Sequence, residues 1–268
     1  MVTFLTFLVF STILLLVILI LYHTNYVKCT NVRIKTHKGI KCRIIQISDL
    51  HGKRVFINGT LSNIINKYSP DIVCITGDLT NKRSQIPKIY EEISKIKSSH
   101  ILFVPGNYER EEYISLKKRK LSEVEYRQTI DKLKGTMHVL ENQFYKIKNN
   151  QSELLVYGFD NSIYGNEKYI CQIEKEQRIY KVLLAHSPSI INVINREKID
   201  YDLLLVGHTH GGQIRLGKWT LSNSRYRNFH LGMENDDDKC FYINRGLGTA
   251  RLPFRINCFP EITIFNLE

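Results

Sequence analysis

The chain has 268 residues, 43% of them hydrophobic, which favours one sizeable domain with a well-buried core over several small ones. Six scattered cysteines (Cys29, Cys42, Cys74, Cys171, Cys240 and Cys258), with no CxxC pair, argue against a disulfide framework and for a reducing compartment; Cys74, inside an apolar run, reads as a small core residue. The formal net charge of +12 points to an anionic partner without choosing among nucleic acid, a membrane surface and a phosphorylated substrate.

Residues 2–22, VTFLTFLVFSTILLLVILILY, carry no charge and almost no polar group. A helix needs roughly 20 apolar residues to cross a bilayer, and this run reaches that length. A cleaved secretory signal is the alternative, but the basic n-region and an A-x-A-like site are missing and the apolar core is too long. The expected organisation is a transmembrane anchor over 1–24, a basic juxtamembrane connection with the first strand over 25–42, and a folded domain over 43–268. Lys28, Arg33, Lys35, Lys38, Lys41 and Arg43 follow the apolar run. The positive-inside rule then places the body in the cytoplasm, and the basic segment would be drawn to anionic headgroups.

Beyond the anchor, short apolar runs alternate with polar, helix-like segments. The runs 43–51, 71–79, 101–107, 154–160, 181–188 and 202–210 read as strands buried on both faces. Between them, 60–69 and 84–98 have helical spacing: Leu61, Ile64, Ile65 and Tyr68 share one face, as do Ile89, Ile93 and Ile96. The charged stretch 109–135 reads as a solvated helical excursion closed by Gly135. The tail is rich in strand formers and turn residues. An α/β domain follows.

Five of the strand-like runs end in side chains suited to a hard or borderline cation. They supply Asp49 and His51, then Asp78, then Asn107, then His186, then His208 and His210. Ligands of open α/β sheets gather outside the carboxyl ends of the strands. Alternation along an extended chain points Asp49 and His51 to one side, and likewise His208 and His210. Glycines 77, 106, 207, 211 and 212 allow sharp turns and close approach there. Any one of these polar residues read alone is a turn residue or a satisfied histidine. Taken together, seven N/O ligands are too many for one catalytic zinc and suit two divalent ions sharing a carboxylate.

The segments SDLHG (48–52), TGDLT (76–80), PGNYE (105–109), LLAHSP (183–188) and VGHTHGGQ (206–213) run in the order D-x-H, G-D, G-N, His, G-H-x-H. This order resembles the calcineurin-like metallophosphoesterases, and the tail 245–263 looks like that of their bacterial membrane-associated branch. The resemblance implies a four-layer αββα sandwich of two packed mixed β-sheets flanked by helices. It also implies a dinuclear metal-dependent phosphoesterase in which a metal-bridging hydroxide attacks a phosphoester or pyrophosphate. One ion would take Asp49, His51, Asp78 and His210, and the other Asp78, Asn107, His186 and His208. Manganese, iron and zinc all suit that set.

The family usually has a histidine after the G-N asparagine, where this chain has Tyr108. A phenol with a pKa of about 10 is a poorer acid near neutrality than imidazolium. Tyr108 is then a weaker donor, or the leaving group needs little help, or the ring packs the substrate; the last two fit a site with every ligand position filled. The catalytic candidates are thus Asn107, Tyr108 and His208. The expected substrate is a phosphoester at the membrane surface, such as a lipid-linked or nucleotide-sugar-lipid one. The alternative is a metal-containing module that binds an anionic ligand or nucleic acid without turnover. No specific nucleic acid is expected, because the lysines lack the interleaved aromatics of a stacking platform.

Overall fold

The apolar runs become strands covered on both faces. The structure, a computed structural model, describes residues 2–115, 117–149, 152–170, 179–217, 219–220, 232–236 and 239–268. Cys171 lies outside them; Cys29, Cys42, Cys74, Cys240 and Cys258 are free thiols, and Cys74 is buried in the core as its apolar setting predicts.

Sheet one contains β1 (Lys28–Ile34), β2 (Cys42–Ile47), β3 (Ile72–Thr76), β4 (His100–Val104) and β5 (His138–Val139). Sheet two contains β6 (Gln143–Asn149), β7 (Ser152–Gly158), β8 (Ile179–Leu184), β9 (Leu203–Val206), β10 (Gly232–Asp236) and β11 (Lys239–Ile243). The last strand, β12 (Glu261–Leu267), returns to sheet one between β1 and β2. It runs parallel to β1 and antiparallel to β2, so both sheets are mixed. The strand orders are β1-β12-β2-β3-β4-β5 and β6-β7-β8-β9-β11-β10. In the first, β2, β3 and β4 are mutually parallel; in the second, β7, β8, β9 and β11 are.

Side-chain alternation makes the layers. Ile44, Ile72, Cys74, Leu102 and Val104 face Val156, Val182, Leu184, Leu203 and Leu205 in a core between the sheets. Their sequence neighbours Ile45, Ile47, Val73, Ile75 and Phe103 point the other way, under the helices α2 (Leu61–Asn66), α3 (Ile86–Ile93) and α4 (Glu123–Leu133). On the far side, Tyr157, Leu183, Leu204 and Phe241 pack under α5 (Ile190–Glu197). The result is the expected four-layer αββα sandwich. Strands buried on both faces need apolar residues at every position, which is why these segments show no polar alternation.

The predicted helices shorten to what their caps allow. The Thr60 hydroxyl accepts from Asn63 N–H to start α2, and Pro87 stands in the first turn of α3 after a 3-10 turn at Arg83–Gln85. The stretch 109–135 is not one helical excursion. It opens with a 3-10 turn at Asn107–Glu109 and a ribbon of Glu111–Ile114 against Lys117–Lys120, and only then forms α4. Opposite charges face each other in the ribbon, Glu111 across from Lys120 and Glu112 across from Arg119, which stabilises a strand pair. Ser122 and Glu125 form a reciprocal capping box that delays the helix to that point. Nor does Gly135 end α4 in the left-handed region, since Lys134 ends it with right-handed backbone. The N-terminal helix α1 (Val2–Asn25) is exposed along its apolar length and meets the domain only at its last turns.

Candidate metal centre

The loops after β2, β3 and β4 of sheet one and after β8 and β9 of sheet two meet at one end of the sandwich, where parallel strands direct their carboxyl ends. They bring together all seven residues singled out as ligands. One group of possible ligand atoms comprises Asp49, His51 and His210, the other Asp78, His186 and His208; within each, the atoms lie within 4.8 Å of one another. Asp78 lies between the groups: its Oδ2 is 3.8 Å from His51 Nε2 and 3.4 Å from His186 Nε2. Asn107 Oδ1 is 3.2 Å from His186 Nε2, and His208 Nδ1 is 3.0 Å from the same nitrogen. His51 Nε2 and His210 Nε2 stand 3.1 Å apart, with the rings stacked.

Neighbours orient each side chain. Asp49 Oδ2 accepts from the Ser48 hydroxyl at 2.6 Å and from His208 N–H at 2.9 Å. Asp78 Oδ1 accepts from Tyr108 N–H at 2.8 Å, which turns Oδ2 toward the histidines. His186 Nδ1 donates to Thr76 O at 2.8 Å, leaving Nε2 to face inward. The Asn107 amide nitrogen donates to Glu111 Oε1 at 2.6 Å, and its oxygen therefore faces His186. Asn81 Oδ1 lies 2.6 Å from His51 Nδ1 and fixes that ring in the same manner.

Two features of these atoms fit divalent ions. Asp49 Oδ1 is fully buried, 3.4 Å from His210 Nε2, and has no hydrogen-bond partner among the described residues. His186 commits its Nδ1 proton to Thr76, so on losing the Nε2 proton its ring would aim that lone pair into the space beside Asp78 and Asn107. Unpaired buried acceptors cost free energy, and cations between them relieve it. Without ions, His186 holds the proton that a metal would displace. Burial resists charging His186, but Asp78 outweighs it and pushes that imidazole up to about 10. Burial likewise works against ionising Asp78, yet His186 and His51 hold it below the usual carboxylate range. Burial and then His186 push His208 down to about 3, and burial with His51 and Arg255 keeps His210 well below its ordinary value, neutral as a ligand must be.

Backbone strain concentrates here. Asp49, His51, Asp78, His208 and His210, five of the seven, have φ between 49° and 71°, where residues with a Cβ are strained. Space is equally tight: a Cβ on Gly207 would fall 1.9 Å from Ser48 Oγ, and one on Gly106 2.3 Å from Asp78 Oδ1. These glycines are needed for close approach of the loops rather than for rotation.

Sequence reasoning missed the supports. Glu109 is buried beneath the loops and accepts from the backbone N–H groups of Asp78, Leu79 and Gly106 at 2.6–3.0 Å. Burial and then the Asp78 charge push its carboxyl up to about 7. The four-residue span from Gly106 to Glu109 has capping-box spacing, which was the available signal. Arg255 is fully buried and donates to the carbonyls of His210, Arg245, Gly246, Gly248 and Cys258, tying the tail to the G-H-x-H loop. Nothing local in the sequence marks it. Tyr108 is buried, edge-on to His51 at 4.8 Å, with Lys118 Nζ 4.4 Å above its ring. Burial and then Tyr113 raise its phenol above the ordinary value, so it stays protonated. A cavity of about 380 Å³ opens above Asp78, Asn107 and His208, with Tyr108, Lys118 and Arg251 on its walls.

A family model described as calcineurin-like phosphoesterase matches residues 42–212. The chain is 27% identical over 261 residues to the uncharacterized metallophosphoesterase YkoQ of Bacillus subtilis (strain 168), covering 91% of this chain and 92% of that protein. It is 30% identical over 228 residues to the uncharacterized protein YpbG of the same organism, covering 84% of this chain and 80% of that one. It is also 25% identical over 237 residues to a transmembrane protein with metallophosphoesterase domain from Danio rerio, covering 82% of this chain and 52% of that relative. With such a family match over most of its length, the chain belongs to the calcineurin-like phosphoesterase family and is a metal-dependent phosphoester hydrolase.

Proposed function

We propose a membrane-anchored phosphoesterase whose two divalent ions are held by Asp49, His51, Asp78 and His210 on one side and by Asp78, Asn107, His186 and His208 on the other. The observation that carries this reading is the position of Asp78 Oδ2, which faces His51 and His186 from opposite groups and can bridge. When bound, such ions acidify a water and polarise the phosphoryl group. The mixed His/Asp/Asn set admits manganese, iron or zinc.

The chain's own residues do the remaining work. Asn107, held by Glu111, presents its amide oxygen, and His208 presents Nδ1 beside it. Lys118, paired with Glu111 at 2.6 Å, and Arg251 both line the cavity. Both favour a phosphate anion. Tyr108 keeps its proton and serves as a wall rather than an acid. The favoured substrate is therefore a pyrophosphate, or a diester whose leaving group is itself acidic, over an alkyl monoester.

The anchor reading assigns 1–24 to the bilayer, 25–42 to a connection that carries β1, and 43–268 to a cytoplasmic catalytic domain. It is supported by a 23-residue apolar span exposed in the structure, by the basic residues after it, and by the name of the Danio rerio relative. The expected substrate is then a phosphoester at the membrane surface, lipid-linked or nucleotide-sugar-lipid in type. The test is a panel of aryl monoesters and diesters with each metal restored, alongside elemental analysis. Asp78→Asn should lower diester kcat/KM by about 10³-fold, the several kcal/mol that metal catalysis supplies, and lower the bound metal. Equal activity of the variant and the wild type would overturn the assignment.

A further inference from the structure

The last turns of α1 are the only part of that helix that the domain covers. Thr24 in its last turn is buried, as is Val27 just after it, whereas Tyr22 and most of the apolar side chains before it are exposed. If α1 spans a bilayer, the headgroup layer lies at about Tyr22–Asn25, and whatever touches that turn shares its depth. Three segments touch it or join it. Lys53 Nζ donates to Thr24 O, and Ile57 N–H donates to Asn25 O. The tail loop brings Phe259 edge-on to Tyr22 and His23, Arg255 N–H to the Thr24 hydroxyl, and Asn257 N–H to His23 Nδ1. The ribbon pairing Arg215–Leu216 with Trp219–Thr220 is tied to the tail through Arg215 N–H to Ile256 O and the Asn257 amide to Arg215 O.

Each segment carries apolar side chains that the domain leaves uncovered: Val55 and Ile57 at 60% exposure, Leu216 at 59%, Trp219 at 55% and Leu252 at 38%. The stretches 50–60, 209–220 and 245–260 contain no aspartate or glutamate, but do contain Lys53, Arg54, Arg215 and Arg251. Apolar tips on segments that carry cations and no carboxylate, with a tryptophan among them, have the composition that partitions into an anionic membrane interface. At the foot of an anchor, the apolar tips gain by leaving water for lipid while the cations meet the headgroups.

We propose that Val55, Ile57, Leu216, Trp219 and Leu252 form a membrane-contact collar around the foot of α1, seated in the headgroup and upper acyl layer of an anionic bilayer. The collar continues into the cavity above Asp78, because Ile214, Arg251 and Leu252 line it. The collar therefore holds the mouth of the cavity at headgroup depth, where the phosphoester of a membrane lipid enters without leaving the interface. This rests on the reading of α1 as a bilayer anchor.

Trp219 is the single tryptophan of the chain and reports on the collar directly. Full-length protein is reconstituted into nanodiscs of phosphatidylcholine and phosphatidylglycerol, with or without lipids brominated near the head of the acyl chain. Bromine should cut the emission about two-fold while aqueous iodide has little effect, as for an interfacial indole. Leu216→Asp, at a position outside the catalytic machinery, should weaken the bromine quenching and leave hydrolysis of a soluble diester in detergent unchanged. Flotation of the full chain with vesicles separates the two ideas. Failure to float removes the anchor and the collar together, whereas flotation with Trp219 open to iodide and blind to bromine overturns the collar alone. Trp219 shielded from both quenchers would mean a protein contact on this face and would equally overturn it.

Discussion

Tyr108 stands where the family usually keeps an acid, and its surroundings explain what that costs. Its N–H holds Asp78 Oδ1, its ring packs on His51, and Lys118 covers its face, so the residue is built into the wall of the site. Burial and Tyr113 keep the phenol protonated, and such a group donates hydrogen bonds without releasing a proton near neutrality. Tyr108→His restores an imidazole at that position. On an alkyl monoester, whose leaving oxygen needs a proton, kcat/KM should rise by about 10²-fold, the lower end of general-acid effects. On a diester with an acidic aryl leaving group it should barely change. Parallel rises on both substrates would show that Tyr108 controls access rather than proton supply. The position was legible because G-N-Y departs from a recognisable pattern; the strain was not. Left-handed backbone at Asp49, His51, Asp78, His208 and His210 is imposed by tertiary contacts, and no residue in those segments announces it.

At the scale of elements, strands and loops differ in how much the sequence reveals. Runs such as 71–79 and 202–210 could be read because burial on both faces leaves only apolar side chains along β3 and β9, with the ligands after them. The ribbon at Glu111–Ile114 and Lys117–Lys120 was hidden, since a charged stretch fits an exposed helix as well as an exposed strand pair, and cross-strand ion pairs decide between them. The tail loop was hidden for a different reason: much of its order comes from one buried cation. Arg255 satisfies carbonyls contributed by 210, 245, 246, 248 and 258, and the Asp49 carboxylate offsets part of its charge. Removing it leaves several buried acceptors unpaired, at about 1–3 kcal/mol each. Arg255→Met should therefore destabilise the fold by about 3 kcal/mol or more in urea unfolding and loosen metal binding at His210. Arg255→Lys should rescue little, because one ammonium cannot reach carbonyls placed around a planar fork. A small effect of Arg255→Met would mean that the tail is held by its other ties, to His23, Gln213 and Arg215, together with β12.

For the whole molecule, the two groups of ligands act as a clamp between sheets. Asp49, His51, Asp78 and Asn107 belong to loops of sheet one, and His186, His208 and His210 to loops of sheet two, so either proposed ion joins both sheets. Binding that occurs only in the folded state adds RT ln(1 + [L]/Kd) to stability, about 4 kcal/mol at a thousand-fold excess over Kd. Chelation should thus lower the melting temperature, and by an amount that depends on pH. The sign follows from His186, raised to about 10 in the fold against about 6.5 in an unfolded chain. Such a group favours folding fully below pH 6.5, and that contribution is lost as pH rises toward 10. Between pH 7 and 9 the folded, chelated protein carries about one proton more than the unfolded chain, so its stability falls by about 1.4 kcal/mol per pH unit. Glu109, raised to about 7, acts in the same direction at lower pH and is spent above its own pKa. With the ions in place His186 has already given up that proton to become a ligand, and the loss does not occur. The gap in melting temperature between metal-loaded and chelated protein should accordingly widen from pH 7 to pH 9, measured by calorimetry with ionic strength held constant. A gap that stays constant or narrows would mean that His186 does not exchange a proton for metal, and the second ion would have to be held without it.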